Sequence, residues 1–432
     1  YNQPLQPGVL PETLTTLCLG DAFDQPLFND KLKLPVLPNH LTSLEFGARF
    51  NQPLQPDVLP ASLTKLEFGN MFTQPLHLNV LPKALTTLTF SQYHHPLERD
   101  VLPPGLKTLI FIHEVSQPFE PGTLPTSLTT LQFSSDFNLP LKPDVLPPAL
   151  TSLDLNDNFN QPLQPGVLPG TLKDLRLGRS FNQPLERDVL PRDLPKLTFG
   201  YDFNQPLEPY VLPARLTYLD LNENFNQPLQ ANVLPDTLKE LRFGRRFNQP
   251  LEDSVLPEHL TRLYLGDAFN QPLQPGVLPA HLTNLYLGDA FNQPLLPGVL
   301  PEHLTRLYLG DAFNQPLQPD VLPKHLTTLT FGSHFNQPLF VQKVPVDNNA
   351  LVRPAKVAKI VKSVLPAGLL KLEFGYNSYS GKSSFNQPVP PGTLPDSLTY
   401  VDFGIAFKQD MEQAAFPPHA RIVKYSCGVR WP

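Results

Sequence analysis

The sequence predicts a β-rich solenoid, a stack of parallel 22-residue coils that each contribute one short strand. Three observations predict it. First, Phe-Asn-Gln-Pro-Leu starts at Phe50, Phe159, Phe181, Phe203, Phe225, Phe247, Phe269, Phe291, Phe313 and Phe335, with looser copies at Tyr1, Phe23, Phe72, Tyr93, Val115, Phe137 and Phe385. A short fixed period is the mark of stacked repeats. Second, Leu-x-x-Leu-x-Leu runs between the copies, and its end alternates like a half-buried strand. Third, the 54 prolines among 432 residues fall in fixed columns. Proline in a helix interior removes a donor and clashes, so few or no long helices are expected.

The coil Phe291 to Ala312 shows the logic. In Leu304 to Leu309 the last four residues alternate, which puts Leu307 and Leu309 on the buried face of a short strand, and Gly310 ends it. Phe313 opens the next coil and points inward. Asn314 is placed to bond backbone groups of the adjacent coil, which would otherwise stay unpaired inside. Pro316 and Pro319 keep the chain extended, and Leu317, Val321 and Leu322 return it to the core. About five large apolar side chains per coil are expected to be buried, at roughly 1.5–3 kcal/mol each. That is of the same order as the entropy of ordering the coil, so stacks should fold where single coils do not.

Seventeen coils are expected over residues 1–406, with a degenerate coil and C-terminal cap over 407–432. The Phe23 coil carries extra residues near Phe28 to Leu34, and the Phe72 coil is one residue short. The Phe335 coil holds an insertion at 340–363 and a further loop at 376–384. Within the insertion, Val357, Ile360, Val361 and Val364 fall at i, i+3, i+4, i+7. With Lys356, Lys359 and Lys362 opposite, the spacing predicts a short basic amphipathic helix.

Net charge is −6 and the isoelectric point near 6.0, which is no electrostatic footprint for nucleic acid or an anionic membrane. No apolar run is long enough to span a bilayer as a helix. Cys18 and Cys427 lie at opposite ends of the repeat array, so a disulfide scaffold is not expected. Together with the lack of Asn-x-Ser/Thr, this favours a reducing, intracellular setting. The chain opens in mid-repeat at Tyr1, as a fragment of a longer protein would.

The columns Leu-Pro-x-x-Leu-x-x-Leu-x-Leu/Phe-Gly followed by Phe-Asn-Gln-Pro-Leu resemble the FNIP (IP22) repeats over residues 1 to about 407. The resemblance implies a leucine-rich-repeat-like solenoid of the type found in social amoebae and in giant viruses of amoebae. Gln stands where the family name has Ile. Many viral members carry an F-box-like segment before the repeats. The resemblance therefore implies the substrate-recognition part of a ubiquitin-ligase receptor in the host cytoplasm. A Skp1-type adaptor would be a partner only if an F-box lies upstream.

Function is expected on the variable strand columns beside the fixed core, as in other repeat proteins. Tyr264, Tyr286 and Tyr308 stack in one column, with Arg262 and Arg306 alongside and Arg242 one coil before. Tyr and Arg are enriched at binding hot spots, although recent duplication of near-identical coils also places like residues in a column. The three tyrosines with Arg242, Arg262, Arg306, Lys356, Lys359 and Lys362 are the candidate partner-binding residues, and Arg245 and Arg246 lie in the same coil as Arg242. Asp154, Asp174, Asp220, Glu223 and Glu240 alternate with arginines and read as surface ion pairs.

His259, His281, His303 and His325 form a second column, with no cysteine beside them to suggest a metal. Gly375 to Ser383 resembles a phosphate loop but has five residues between its glycines where four are needed. No nucleophile–base set, HExxH or CxxC pair appears at meaningful spacing. The expectation is a non-catalytic protein-interaction solenoid without cofactors. The alternative is a structural or assembly protein, either a virion component or a scaffold that self-associates through open strand edges.

Overall fold

The computed structural model describes residues 1–113, 117–343, 360–375, 383–409 and 417–423. It divides into two compact units, Tyr1–Leu216 and Thr217–Pro432. In the first, nine short strands from Thr16–Cys18 to Lys196–Thr198 form an unbroken parallel ladder. In the second, nine more run from Tyr218–Asp220 to Arg421–Val423 in the same way. The register aligns the repeat exactly as the columns do: Leu263 sits beside Leu241 and Leu285. This is the leucine-rich-repeat-like parallel solenoid that the period predicts.

Most strands bury a central leucine, and Arg262–Tyr264 and Arg306–Tyr308 leave the residues on either side of it exposed or half-buried. Burial per coil exceeds the expected five side chains. In the coil beginning at Phe291, seven are buried: Phe291, Leu295, Val299, Leu300, Leu304, Leu307 and Leu309. The first phenylalanine of the motif stacks on its counterpart in the next coil, unbroken from Phe225 to Phe407 in the second unit and in two runs, Phe23 to Phe72 and Phe137 to Phe203, in the first. Phe159 and Phe181 lie 6.2 Å apart with rings 4° from parallel, and Phe269 and Phe291 repeat this at 6.2 Å and 6°.

The motif asparagine bridges coils. Asn314 N–H donates to Asn292 Oδ1 at 2.9 Å, and Asn336 N–H to Asn314 Oδ1 at 2.9 Å. The motif glutamine completes the link, a role its place in the sequence does not announce. Gln315 Nε2 donates to both Asn292 O and Asn292 Oδ1, at 3.0 and 3.1 Å.

Two further columns are set by backbone geometry. The residue before the motif valine adopts positive φ in coil after coil, as at Gly166 (85°), Asp188 (65°), Asn232 (65°) and Gly276 (92°). Val167 N–H donates back to Gln164 O at 3.2 Å, and Pro165 precedes Gly166. Pro then a left-handed residue is the pattern of a type II turn, which explains the Gly, Asp and Asn at this place. Tyr210 (68°) and Ser254 (66°) are the costly exceptions. The glycine that follows most strands of the second unit has another cause. A Cβ on Gly266 would lie 1.6 Å from Gly244 O, and one on Gly288 would lie 1.7 Å from Gly266 O.

The insertion differs from expectation. Ile360–Ser363 is a strand that pairs antiparallel with Phe340–Lys343, not the end of a basic helix. β-branched Ile360 and Val361 suit a strand, and pairing with the Phe340 segment satisfies backbone groups that a lone short helix would leave open at its ends. Lys356 and Lys359 lie outside the described residues. Val364 N–H donates to Leu339 O at 3.0 Å, closing the base of the hairpin where the coil resumes. The Phe23 coil is extended at the same turn: Phe28–Asn29 pairs with Leu34–Pro35, and Val36 N–H donates to Leu27 O at 3.0 Å. The phosphate-loop lookalike lies largely in the undescribed 376–382. No helix among the described residues is long and apolar enough to cross a membrane.

Candidate functional site

The tyrosine column becomes a ladder in the second unit. Tyr264, Tyr286 and Tyr308 are in direct register on adjacent parallel strands. Their rings stack at 4.2 Å between centroids, 10° and 7° from parallel. That spacing is set by the strands, since parallel neighbours lie only about 4.8 Å apart.

Arg242 occupies the same column one coil earlier, in register with Tyr264. Its guanidinium lies 4.4 Å from the Tyr264 centroid and 5.8 Å from that of Tyr218. Glu240, with its side chain only 13% exposed, holds Arg242 at 2.8 Å and Arg262 at 3.1 Å. Arg242 is thus a cation fixed between two aromatic rings and tied to a nearly buried carboxylate.

Beside the ladder runs a groove of about 330 Å³. Tyr264, Tyr286 and Tyr308 line it together with Arg242, Gly244, Gly266, Gly288 and Gly310, and with Arg245, Asp267 and Asp289 beyond the glycines. The side-chain-free glycine column is what opens space between the aromatic and charged columns. Arg245 pairs with Glu223 at 3.3 Å and with Asp267 at 2.8 Å. Burial pushes the phenol of Tyr308 up to about 12, and the adjacent Tyr286 adds to the shift. Burial likewise raises Tyr264, with Tyr286 again contributing. Tyr264 and Tyr308 are therefore neutral at ordinary pH.

The structure gathers four of the nine candidate residues, Tyr264, Tyr286, Tyr308 and Arg242, into one groove. Arg262 and Arg306 stand in the neighbouring column on either side of buried Asn284, in register with it but outside the groove lining. Lys362 belongs to a separate cavity of about 490 Å³, where it meets Asp320 at 2.7 Å. The reading from sequence missed Asp267 and Asp289. Their signal was the repeated Gly-Asp-Ala after each Tyr-Leu, at Asp267 and Asp289.

The histidine column is a real ladder, with centroids 5.8, 6.5 and 6.4 Å apart from His259 through His325. Among the described residues no three His, Cys, Asp or Glu side chains are grouped to hold a metal ion. The acidic positions have structural duties: Asp174 pairs with Lys196 at 2.6 Å, and Asp154 and Asp220 accept the backbone N–H of Asn156 and Asn222.

The FNIP Repeat model matches residues 1–27, 28–71, 72–113, 116–158, 159–202, 203–246, 247–290, 291–334 and 385–424. The chain belongs to the FNIP repeat family. Most FNIP matches span two coils, and the one long gap between them holds the hairpin insertion. Among solved structures, the FNIP chain is similar to CroV588, described as a novel circular LRR protein structure, at 41% identity and a TM-score of 0.80. The alignment covers 98% of this FNIP chain and 64% of CroV588, so the chain spans less than two thirds of that protein's length. YopM from Yersinia enterocolitica is similar at 21% identity and a TM-score of 0.48, over 92% of this chain and 79% of YopM. The TLR13–ssRNA13 complex follows at 16% identity and 0.41, over 85% of this chain and 60% of that one. No curated protein matches.

Proposed function

We propose that this FNIP chain is a non-catalytic protein-interaction solenoid whose partner-binding face centres on the groove beside Tyr264, Tyr286 and Tyr308. The supporting observation is the groove itself: an aromatic ladder with an arginine held at its end, standing on a parallel sheet. Aromatic and arginine side chains on a preformed scaffold are the usual anchors of protein interfaces. The groove holds no nucleophile paired with a base and no metal-binding cluster among the described residues. In the longer protein, this solenoid would select substrates for a ubiquitin ligase in the host cytoplasm, with the adaptor bound elsewhere.

Affinity capture from amoeba lysate tests the reading, comparing the wild type with Tyr264→Ala/Tyr286→Ala/Tyr308→Ala. The expected result is loss of specific partners with the coil stack intact by circular dichroism. Identical capture by both proteins would remove the groove from the interface. Recovery of a cullin-type ligase subunit with the full-length protein, but not with this chain, is the expected sign of the ligase role.

A further inference from the structure

The groove beside the tyrosine ladder is not electrically balanced. Its lining carries four carboxylates, Asp220, Glu223, Asp267 and Asp289, against two guanidinium groups, Arg242 and Arg245. Both guanidiniums are already engaged within the protein, Arg242 by Glu240 and Arg245 by Glu223 and Asp267. Asp289 makes no ion pair among the described residues, and its side chain is exposed at the groove. Burial, then the like charges of Asp267 and Asp311, push its carboxyl upward, and the more distant Arg245 offsets only part of this. A carboxylate in that position gains from an added cation.

The protein itself displays the chemistry such a cation would use. At one end of the ladder Arg242 places its guanidinium over the Tyr264 ring, 4.4 Å from the centroid, and reaches a carboxylate with its donors. Arginine does this better than lysine because its planar fork both stacks and bonds bidentately. Space sets the form of the ligand. Gly244 to Gly310 spans three coil intervals, about 14 Å at roughly 4.8 Å each, which matches about four residues of extended chain. The groove volume of about 330 Å³ lies at the low end for a ligand site.

Resting on the interaction reading above, we infer that the groove receives an extended, arginine-bearing segment of a partner protein, with one guanidinium paired to Asp289 and its stem laid along the tyrosine ladder. The partner segment is therefore basic, complementary to a chain of net charge −6.

The test is fluorescence anisotropy with the whole chain and fluorescein-labelled hexapeptides of alternating glycine and arginine, glycine and lysine, or glycine and glutamate. The arginine peptide should bind saturably, the lysine peptide more weakly and the glutamate peptide not at all. Asp289→Asn keeps an acceptor for the backbone of Asp311, so folding should persist. It should weaken the arginine peptide about tenfold, as loss of one charge-assisted bond does. Asp57→Asn, in the other unit, should leave binding unchanged. Equal binding of the glutamate peptide, or wild-type affinity in Asp289→Asn, would overturn the inference. So would tighter binding of a labelled single-stranded RNA hexamer. If lysate capture still depends on the three tyrosines while the arginine peptide ignores Asp289, the interaction reading stands and only the ligand class falls.

Discussion

Arg242 and Tyr264 sit in register on adjacent strands, with the guanidinium 4.4 Å from the ring centroid. A cation is thereby built into the end of an aromatic stack, and Glu240 holds it there at 2.8 Å. Replacing it separates stacking from charge. Arg242→Lys keeps the charge but loses the planar contact, and a cation–π contact at a partly exposed site is worth about 0.5–1 kcal/mol. Thermal unfolding should show a small destabilisation of that order. Partner capture should fall more than stability does, because the exposed face of Tyr264 would no longer be fixed.

The two kinds of glycine should respond differently to alanine. Gly266→Ala places a methyl 1.6 Å from Gly244 O, and nothing but a shift of the coils relieves it. A loss of about 3–5 kcal/mol is expected, in the range of severe core overpacking. Gly276→Ala meets nothing within 4 Å but must adopt φ near 92°, so about 1–2 kcal/mol is expected from the left-handed conformation alone. Denaturation monitored by circular dichroism ranks the two, and equal losses would contradict the distinction.

Tyr210 holds a left-handed φ of 68° at a turn where most coils place Gly, Asp or Asn. Arg187 lies 5.5 Å over its ring and returns part of the strain. Tyr210→Asn should stabilise the protein by about 0.5–1 kcal/mol, a rise visible in the melting temperature. A drop would mean that the Arg187 contact outweighs the backbone strain.

Asn292→Ala removes the acceptor for Asn314 N–H and Gln315 Nε2. A half-buried backbone donor left without a partner costs about 1–3 kcal/mol. Asn292→Asp should be much milder, because Asp24 already does this work: its carboxylate accepts Asn51 N–H and Gln52 Nε2, each at 2.9 Å. Amide exchange at Asn314 should quicken in the alanine variant and stay slow in the aspartate one.

Tyr308 ionises only near pH 12 in the folded chain, against about 10 for a free phenol. The unfolded chain therefore releases this proton first as pH rises. Its contribution to stability is full below pH 10 and disappears as pH climbs through the folded value. Stability should fall between pH 10 and 12, less steeply in Tyr308→Phe, and absorbance at the phenolate band should show Tyr308 titrating late.

Sequence periodicity revealed the coils because burial repeats with them: Leu263, Leu285 and Leu307 are buried for the same reason, and reading one reads all. Tyr264, Tyr286, Tyr308 and Arg242 were legible because alternation along a strand fixes which side chains face out. Asp267 and Asp289 were not, since they follow the strand-ending glycine, where alternation stops. That glycine looked like a terminator, although its true constraint is a carbonyl in the preceding coil. The hairpin arm Ile360–Ser363 was misread as helix because its partner, Phe340–Lys343, is distant in sequence and belongs to no repeat. Apolar spacing in so short a segment satisfies either period.

Both inserted segments leave the coil after the motif leucine, Leu27 or Leu339, and return at the valine, Val36 or Val364. Across them the strand ladder keeps step: Thr16 still faces Ser43, and Thr328 still faces Lys371 although 43 positions separate them. Chain length at this turn is thus uncoupled from alignment at the strands. Foreign peptides could be spliced between the leucine and the valine of other coils, giving the scaffold a second, independently variable recognition element without disturbing the aromatic face.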